Sequence, residues 1–334
     1  MSYSRIILSE TLPLETPLSL HIFPSYYCNF KCAYCLHSLS STALLERGFK
    51  IKRMNIDTYM NAIDGASQFP SKLKAIIFAG HGEPTTHKLL PTMISYANMA
   101  DIAERIEIVT NAALLTPDMC DALAVAGLNN IRVSLQGVTD KMYSTMSGTS
   151  CKVSRILKNL TYLHEYHPKV QINAKIVNAA IKDEAEEKLL YSMFGPVCDT
   201  LDIEYLIPFI KEIDHTKLVG KMDKCKHGNP KSSSDVCSMP FYMLVVDPDG
   251  NVLPCCSSEI PFVYGNVNDK ALSDIWTSAR VNGFLLHQLI DMRKSPVCNR
   301  CSVPAYGLQE GDYLDNAREE LLDIYLSRSP ICQK

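Results

Sequence analysis

The sequence carries almost no net charge, since 33 Lys and Arg against 36 Asp and Glu leave a formal −3. So small an excess excludes binding to nucleic acid or an anionic membrane surface by bulk electrostatics. The N-terminal stretch MSYSRIILSETLPLETPLSL lacks a basic segment followed by an apolar run, so no secretory signal is expected. No apolar run approaches the ~18 residues a membrane-spanning helix requires, and there is no internal repeat or low-complexity tract. These absences predict a soluble, cytoplasmic protein with no nucleic-acid and no membrane partner. The 334 residues, 46% of them hydrophobic, suffice for one large domain or a medium domain with a smaller one.

Cysteine, by contrast, is abundant, with 13 in the chain. In a reducing compartment clustered thiols serve as metal ligands or catalysts more often than as bridges. Cys28, Cys32 and Cys35 crowd into YYCNFKCAYC; Cys120, Cys151 and Cys198 are scattered; Cys225, Cys237, Cys255, Cys256, Cys298, Cys301 and Cys332 fall in the last third. The asymmetry places a boundary between positions 210 and 236.

From Pro17 to about Phe209, short β-rich runs alternate with amphipathic stretches of helical length. The strands are LSLHIFPSY, LKAIIFAG, RIEIVTN, NIRVSLQ, VQINAKIV and LDIEYLIPF, with helices IDTYMNAIDGASQF, KLLPTMISYANMAD, TPDMCDALAVAG, VSRILKNLTYLHEY and DEAEEKLLYSMF between them. Thr116 before Pro117 is a helix-start signal and Gly127 a stop. Six strands with helical crossovers predict an α/β fold with a parallel sheet, too few for a closed eight-stranded barrel, and a ligand site at the strands' C-terminal edge. Residues 211–236 are polar and punctuated, reading as a linker or mobile loop between a first domain, 1–210, and a second, 237–334. In the second, FYMLVVDPDGNVLPCC reads as a hairpin around an Asp-Gly turn and DNAREELLDIYLSR as a helix.

Three thiolates in one loop suit a cubane iron–sulfur cluster with one iron left open. A zinc site with a distant fourth ligand and incidental buried thiols are the alternatives. CNFKCAYC resembles the CxxxCxΦC signature of the radical S-adenosylmethionine (SAM) enzymes, with Tyr34 at the aromatic position. The resemblance implies a [4Fe–4S] cluster on Cys28, Cys32 and Cys35 whose open iron binds SAM. An electron from the cluster then cleaves SAM to a 5′-deoxyadenosyl radical that abstracts hydrogen from the substrate. It also implies a flavodoxin- or ferredoxin-type reductase as electron donor. GHGEP (Gly80, His81, Gly82, Glu83) resembles the family's GGEP motif. VTNAALL, with Asn111 and with Ala112 in place of glycine, resembles the third-strand motif. VSLQG, with Ser134 and with Gln136 in place of aspartate, resembles the fourth. The implied fold is a partial (β/α)6 TIM-like barrel.

Cys237, Cys255 and the CNRC pair Cys298 and Cys301, with GNVNDKALSDIW between, resemble the SPASM/twitch extension of that family. No cysteine appears in SVPAYGLQEGDYLDNAREE, so the resemblance implies one auxiliary [4Fe–4S] cluster on these four, with structural zinc as the alternative. Cys256 reads as a bystander, and Cys225 and Cys332 as plain thiols that could supply an unusual ligand. A saturated auxiliary cluster suits electron transfer, and the cysteine pattern resembles that of single-cluster aminocyclitol dehydrogenases. The expected reaction is therefore oxidation of a small polar substrate such as a sugar or aminocyclitol alcohol. Peptide modification is the alternative, although the 27 residues before Cys28 leave no room for a leader-recognition domain. Epimerisation is another, with Cys151 or Cys225 as the quenching thiol. Glu204, His215 and Arg155 are candidates for a general base. A non-catalytic iron–sulfur scaffold would need no SAM pocket, and GHGEP argues against it.

Overall fold

The computed structural model describes residues 6–328. Six strands, β1 (Ser19–Ile22), β2 (Ala75–Phe78), β3 (Ile106–Thr110), β4 (Asn130–Leu135), β5 (Gln171–Val177) and β6 (Thr200–Glu204), pair in parallel in sequence order. Helices Ile56–Ala66, Leu90–Ala100, Pro117–Val125, Val153–Tyr166 and Glu184–Phe194 make the crossovers at the expected places. Local chemistry sets their starts. Asn55, Thr116 and Asp183 each accept a main-chain N–H of the first turn, satisfying donors that a helix leaves orphaned. The sheet is open, with β6 at one edge.

Alternation assigns the two faces. In β5, Ile172, Ala174 and Ile176 are buried against the helices, while Asn173, Lys175 and Val177 occupy the other face. The helix-facing side joins one core with Leu20, Ile22, Ile76, Phe78, Ile108 and Val133. Polar side chains therefore line the concave side of the sheet, where a ligand can use them.

The second cysteine-rich region continues this sheet. β7 (Met243–Val246) pairs parallel to β1, with Ser19 opposite Met243 and Ile22 opposite Val246. β8 (Asn251–Leu253) and β9 (Gly265–Asn266) follow antiparallel, giving the order β6-β5-β4-β3-β2-β1-β7-β8-β9. The Asp-Gly hairpin is present, its turn held by Asp247 Oδ1, which accepts from the Asp249 and Asn251 N–H groups at 2.9 Å.

Three further helices, Ser41–Glu46, Asp140–Ser147 and Ala279–Asp291, add to those expected from the sequence. Their starts are set by Ser40, Thr139 and Ser278, each of which accepts a main-chain N–H of the first turn, a local signal of the same kind as Thr116. Residues 211–236 include one short helix, Thr216–Val219. They are tied to both flanks, since Tyr205 N–H donates to Lys226 C=O (2.9 Å) and Lys226 N–H to Tyr306 C=O (2.8 Å). Among the described residues no helix is long and apolar enough to cross a membrane.

Candidate active site between the sheet and its extension

After β1 the chain enters the loop holding Cys28, Cys32 and Cys35. Helix Asp140–Ser147 supports it: Lys31 N–H donates to Ser147 C=O (2.8 Å) and Ala33 N–H to Met146 C=O (2.9 Å). Gly148, ending that helix at φ +63°, lies so close that a Cβ would stand 2.5 Å from the Lys31 carbonyl oxygen. Only glycine permits this docking. The three sulfurs lie within electrostatic reach of one another, and burial pushes the Cys28 thiol up to about 12 and those of Cys32 and Cys35 upward too. Such thiols give up their protons when a cation takes their place.

The second set gathers in the same way. Cys237 precedes β7, Cys255 follows β8, and Cys298 and Cys301 bracket a tight turn. Cys237 senses Cys301 and Cys298, and Cys255 senses Cys237, Cys256 and Cys301. A local signature unites both sets. Phe30 N–H donates to the Cys28 sulfur at 3.4 Å. The same contact, from the residue two positions on, recurs as His37 to Cys35, Met239 to Cys237, Ser257 to Cys255 and Val303 to Cys301. N–H donors to sulfur tune iron–sulfur centres. Among the described residues no group of three or more His, Cys, Asp or Glu closes tightly enough for a single metal ion. A cubane spreads its ligands over four irons instead. Both sets are thiols alone, the donor type such clusters take. The Cys256 sulfur lies 3.5 Å from His21 Nδ1 on β1, and burial pushes it to about 12.

GHGEP is built around Glu83, which is 3% exposed. Its Oε1 accepts from Thr85 N (3.1 Å), Thr85 Oγ1 (2.6 Å) and Thr110 Oγ1 (2.6 Å), and its Oε2 from Asn111 N (2.8 Å). Glu83 thus locks the end of β2 to the end of β3, and Asn111 passes the lock to the cysteine loop through Nδ2 to Asn29 Oδ1 (2.8 Å). Ala112 takes φ +61°, the left-handed conformation expected of a glycine. At Gly82 a Cβ would meet the Ser25 carbonyl oxygen at 2.2 Å, so this turn presses directly on the exit of β1. His81 faces the extension: Nε2 lies 3.1 Å from the Ser257 carbonyl. Burial lowers its pKa to about 4, so the neutral ring donates Nε2–H to that oxygen. Tyr34 donates to Gln136 Oε1 (2.9 Å), so the glutamine that replaces aspartate serves as an acceptor.

These motifs meet at one cavity of about 440 Å³, within the usual range for small-molecule sites. Tyr34, Cys35, Gly80, His81 and Ser134 line it together with Lys175, Glu204 and Lys226, while Phe209, Ile210, Met239 and Val303 supply apolar wall. Glu204 Oε2 is 2.9 Å from Lys175 Nζ and its Oε1 3.0 Å from Lys226 Nζ. Burial, with Lys226 adding repulsion, lowers the Lys175 pKa to about 8. Burial alone would raise Glu204, but the two ammonium groups outweigh it and hold the carboxyl below its usual range. Lys175 and Lys226 were missed in the sequence. A lysine at the non-core phase of VQINAKIV was the available signal for the first; nothing local marks the second.

Other sequence candidates lie elsewhere. Cys151 and Cys225 are buried and neither lines this cavity. Arg155 is exposed. His215 is buried, and its Nε2 has no hydrogen-bond partner. Cys332 lies outside the described residues.

The family model of the radical SAM superfamily matches residues 22–189, half of the chain. That of the SPASM iron–sulfur cluster-binding domain matches residues 237–302. A tungsten-containing aldehyde ferredoxin oxidoreductase cofactor-modifying protein of Pyrococcus furiosus is 25% identical, over 83% of this chain and 85% of its own. Two solved structures share the fold. BtrN in complex with AdoMet and 2-DOIA has a TM-score of 0.54 at 19% identity, covering 89% of this chain and 97% of its own. anSMEcpe with bound AdoMet and the Cp18Cys peptide has a TM-score of 0.56 at 16% identity, covering 93% and 99%. With its cysteine loop, its GHGEP turn and half its length matching, the chain belongs to the radical SAM superfamily and carries a SPASM iron–sulfur cluster-binding domain.

Proposed function

We propose that the protein is a radical SAM oxidoreductase that dehydrogenates a small polar molecule, such as a sugar or aminocyclitol alcohol. One auxiliary [4Fe–4S] cluster on Cys237, Cys255, Cys298 and Cys301 would be the electron acceptor. When bound, SAM with the cluster on Cys28, Cys32 and Cys35 supplies hydrogen-atom abstraction, and the auxiliary cluster a sink for the remaining electron.

One observation carries this reading. Met239 and Val303, which line the cavity, are the residues whose N–H groups donate to the sulfurs of Cys237 and Cys301. Two of the four cysteines are therefore contacted by residues of the cavity wall, which supports a short path for an electron leaving the substrate. Around the reacting groups, Tyr34 is held by Gln136, His81 is tied to Ser257, and Phe209 and Ile210 keep water from the apolar side. Lys175, Glu204 and Lys226 give the substrate's polar groups fixed partners.

The test is iron and sulfide per chain after anaerobic reconstitution. The reading expects about eight of each, falling to about four when Cys28, Cys32 and Cys35 are all replaced by alanine. A parent value of about four would remove the acceptor and with it the oxidation mechanism.

A second reading, modification of a peptide side chain, has its own support. A cleft of about 670 Å³, lined by Arg47, Lys52, Glu212, Asp249 and Glu259 among others, shares Leu36 and His81 with the cavity. An extended chain lying there could pass one residue by His81. Peptides that stimulate SAM cleavage where polyols and aminocyclitols do not would favour it.

A further inference from the structure

We propose that Lys175 and Lys226, held on either side of Glu204, form a subsite for an anionic group of the substrate, a carboxylate or a phosphate. The proposal rests on the reading of the 440 Å³ cavity as the substrate site and narrows its occupant to a negatively charged small molecule.

Charge counting comes first. Two ammonium groups share one carboxylate at 2.9 and 3.0 Å, which leaves one positive charge in excess where they line the cavity. Each oxygen of Glu204 already faces a lysine, so a cationic substrate group there would stand beside two ammonium groups and be repelled. Each lysine, with three donors, has hydrogens left over. The next acidic side chain, Asp202, is exposed, stands beside Lys175 in the strand register and shares a second depression with Lys175 and Glu204. The other charges there are those of Glu107 and of Arg105 and Arg132, both paired with it, so counting all seven groups still leaves one positive charge in excess. The side chains of Lys175 and Lys226 are 23% and 32% exposed, so both reach the cavity without being free in solvent.

Construction comes second. Lys175 projects from β5, inside the sheet. Lys226 arrives from the segment after β6 and is fixed by main-chain bonds to Tyr205 and Tyr306. Two lysines from distant parts of the chain are thus brought to one carboxylate, and holding two like charges together is costly unless something uses them. Glu204 offsets part of that cost, and burial above all, with repulsion from Lys226, lowers Lys175 to about 8. An arriving anion would offset the remainder of the cost. The anion could also be the carboxylate of SAM itself, since Ser134 and Lys175 are cross-strand neighbours. Construction argues for the substrate. Lys226 is fastened to Tyr306, between Val303 and Gly307 of the extension, and Lys226, Val303 and Gly307 all line the cavity.

Lysine protection tests this on the reconstituted holoenzyme. Brief acylation with acetic anhydride would be followed by peptide mass spectrometry, with exposed Lys88 as internal reference. Separate arms would contain inorganic phosphate, succinate, SAM, neutral myo-inositol or no addition. The proposal expects phosphate or succinate, at ~10 times its dissociation constant, to slow labelling of Lys175 and Lys226 about ten-fold, with myo-inositol without effect. Whichever anion protects identifies the group. Lys175→Met should abolish protection of Lys226, and Lys175→Arg should restore it. Absence of protection by both anions would overturn the proposal. So would protection by SAM alone as complete as that by the anions, which would assign the lysines to the cofactor. Labelling does not depend on the auxiliary cluster, so an iron count near four would fail the oxidation reading while leaving this result standing.

Discussion

Replacing Glu83 by glutamine should weaken the protein by an amount its hydrogen bonds fix. Four donors converge on the two oxygens: Thr85 N–H and the Thr85 and Thr110 hydroxyls on Oε1, and Asn111 N–H on Oε2. A carboxylate accepts all four. A glutamine amide cannot, because one terminal atom becomes a donor. With its oxygen in place of Oε1, the amide nitrogen opposes Asn111 N–H. Flipped, it opposes Thr85 N–H, while the hydroxyls can turn to accept. Either way one buried main-chain donor loses a charged acceptor, worth about 1.5–3 kcal/mol, which for a chain of this size is a fall in Tm of roughly 5 °C. Burial pushes the Glu83 carboxyl up, and a neutral carboxylic acid there would be close to isosteric with glutamine. Thermal melting of the anaerobic holoenzyme and Glu83→Gln in parallel decides the matter. A Tm within about 1 °C of the parent would refute the reasoning and show Glu83 to be held protonated.

The other expectations are shorter. Gly82→Ala puts a Cβ 2.2 Å from the Ser25 carbonyl oxygen, and because the obstacle is backbone, the cost should be about 3 kcal/mol or more; a chemical-denaturation midpoint unchanged from the parent would contradict that contact. Cys255→Ala should lower iron by about four per chain while Cys256→Ala leaves it unchanged, because the Cys256 sulfur faces His21; a loss of iron in Cys256→Ala would make it a ligand. Folding lowers the Lys175 amine from 10.5 to about 8, so between those values the folded chain binds fewer protons than the unfolded one. Its contribution to stability therefore rises from pH 8 to 10.5 and is lost as the pH falls through 8. Lys175→Met should flatten that part of the stability–pH curve, and a curve of unchanged slope would place the amine at its ordinary value. Tyr34→Phe removes the donor to Gln136 Oε1 and should cost about 1 kcal/mol, read as a small fall in Tm with the iron count intact.

How much of this was legible in the sequence depends on whether the information was local. The alternation of β5 and the caps at Thr116 and Asp183 are properties of neighbouring residues, and the parallel sheet with its helical crossovers follows from them. The cysteine loop and GHGEP could be found because their chemistry is compressed into a few positions. Glu83 shows the limit of that reading. Grouped in the sequence with residues that meet SAM, it has both oxygens occupied by Thr85, Thr110 and Asn111 and acts by positioning the strand ends. Lys226 shows it more sharply. Its role exists only because the chain after β6 returns to the cavity and is fastened to Tyr306, 80 residues further on.

The pairing of β7 with β1 has the same character, and function follows from it. From the sequence the extension reads as a separate unit beyond a linker. In the structure, Ser19–Ile22 is hydrogen-bonded on one side to β2 and on the other to β7. β1 leads into the first cysteine loop, and Cys237 and Cys255 flank the β7–β8 hairpin beside it. His81 to Ser257 adds a side-chain tie between the GHGEP turn and the residue that donates to Cys255. Cys237 and Cys255 are thus referenced to the strand that leads into the first cysteine loop. On the proposed reading, a hinge between two units would let the acceptor drift away from the substrate, and the shared strand opposes that drift. Substrate access must then come from movement at the rim of the cavity, where Phe209, Ile210 and Lys226 belong to loops rather than to the sheet.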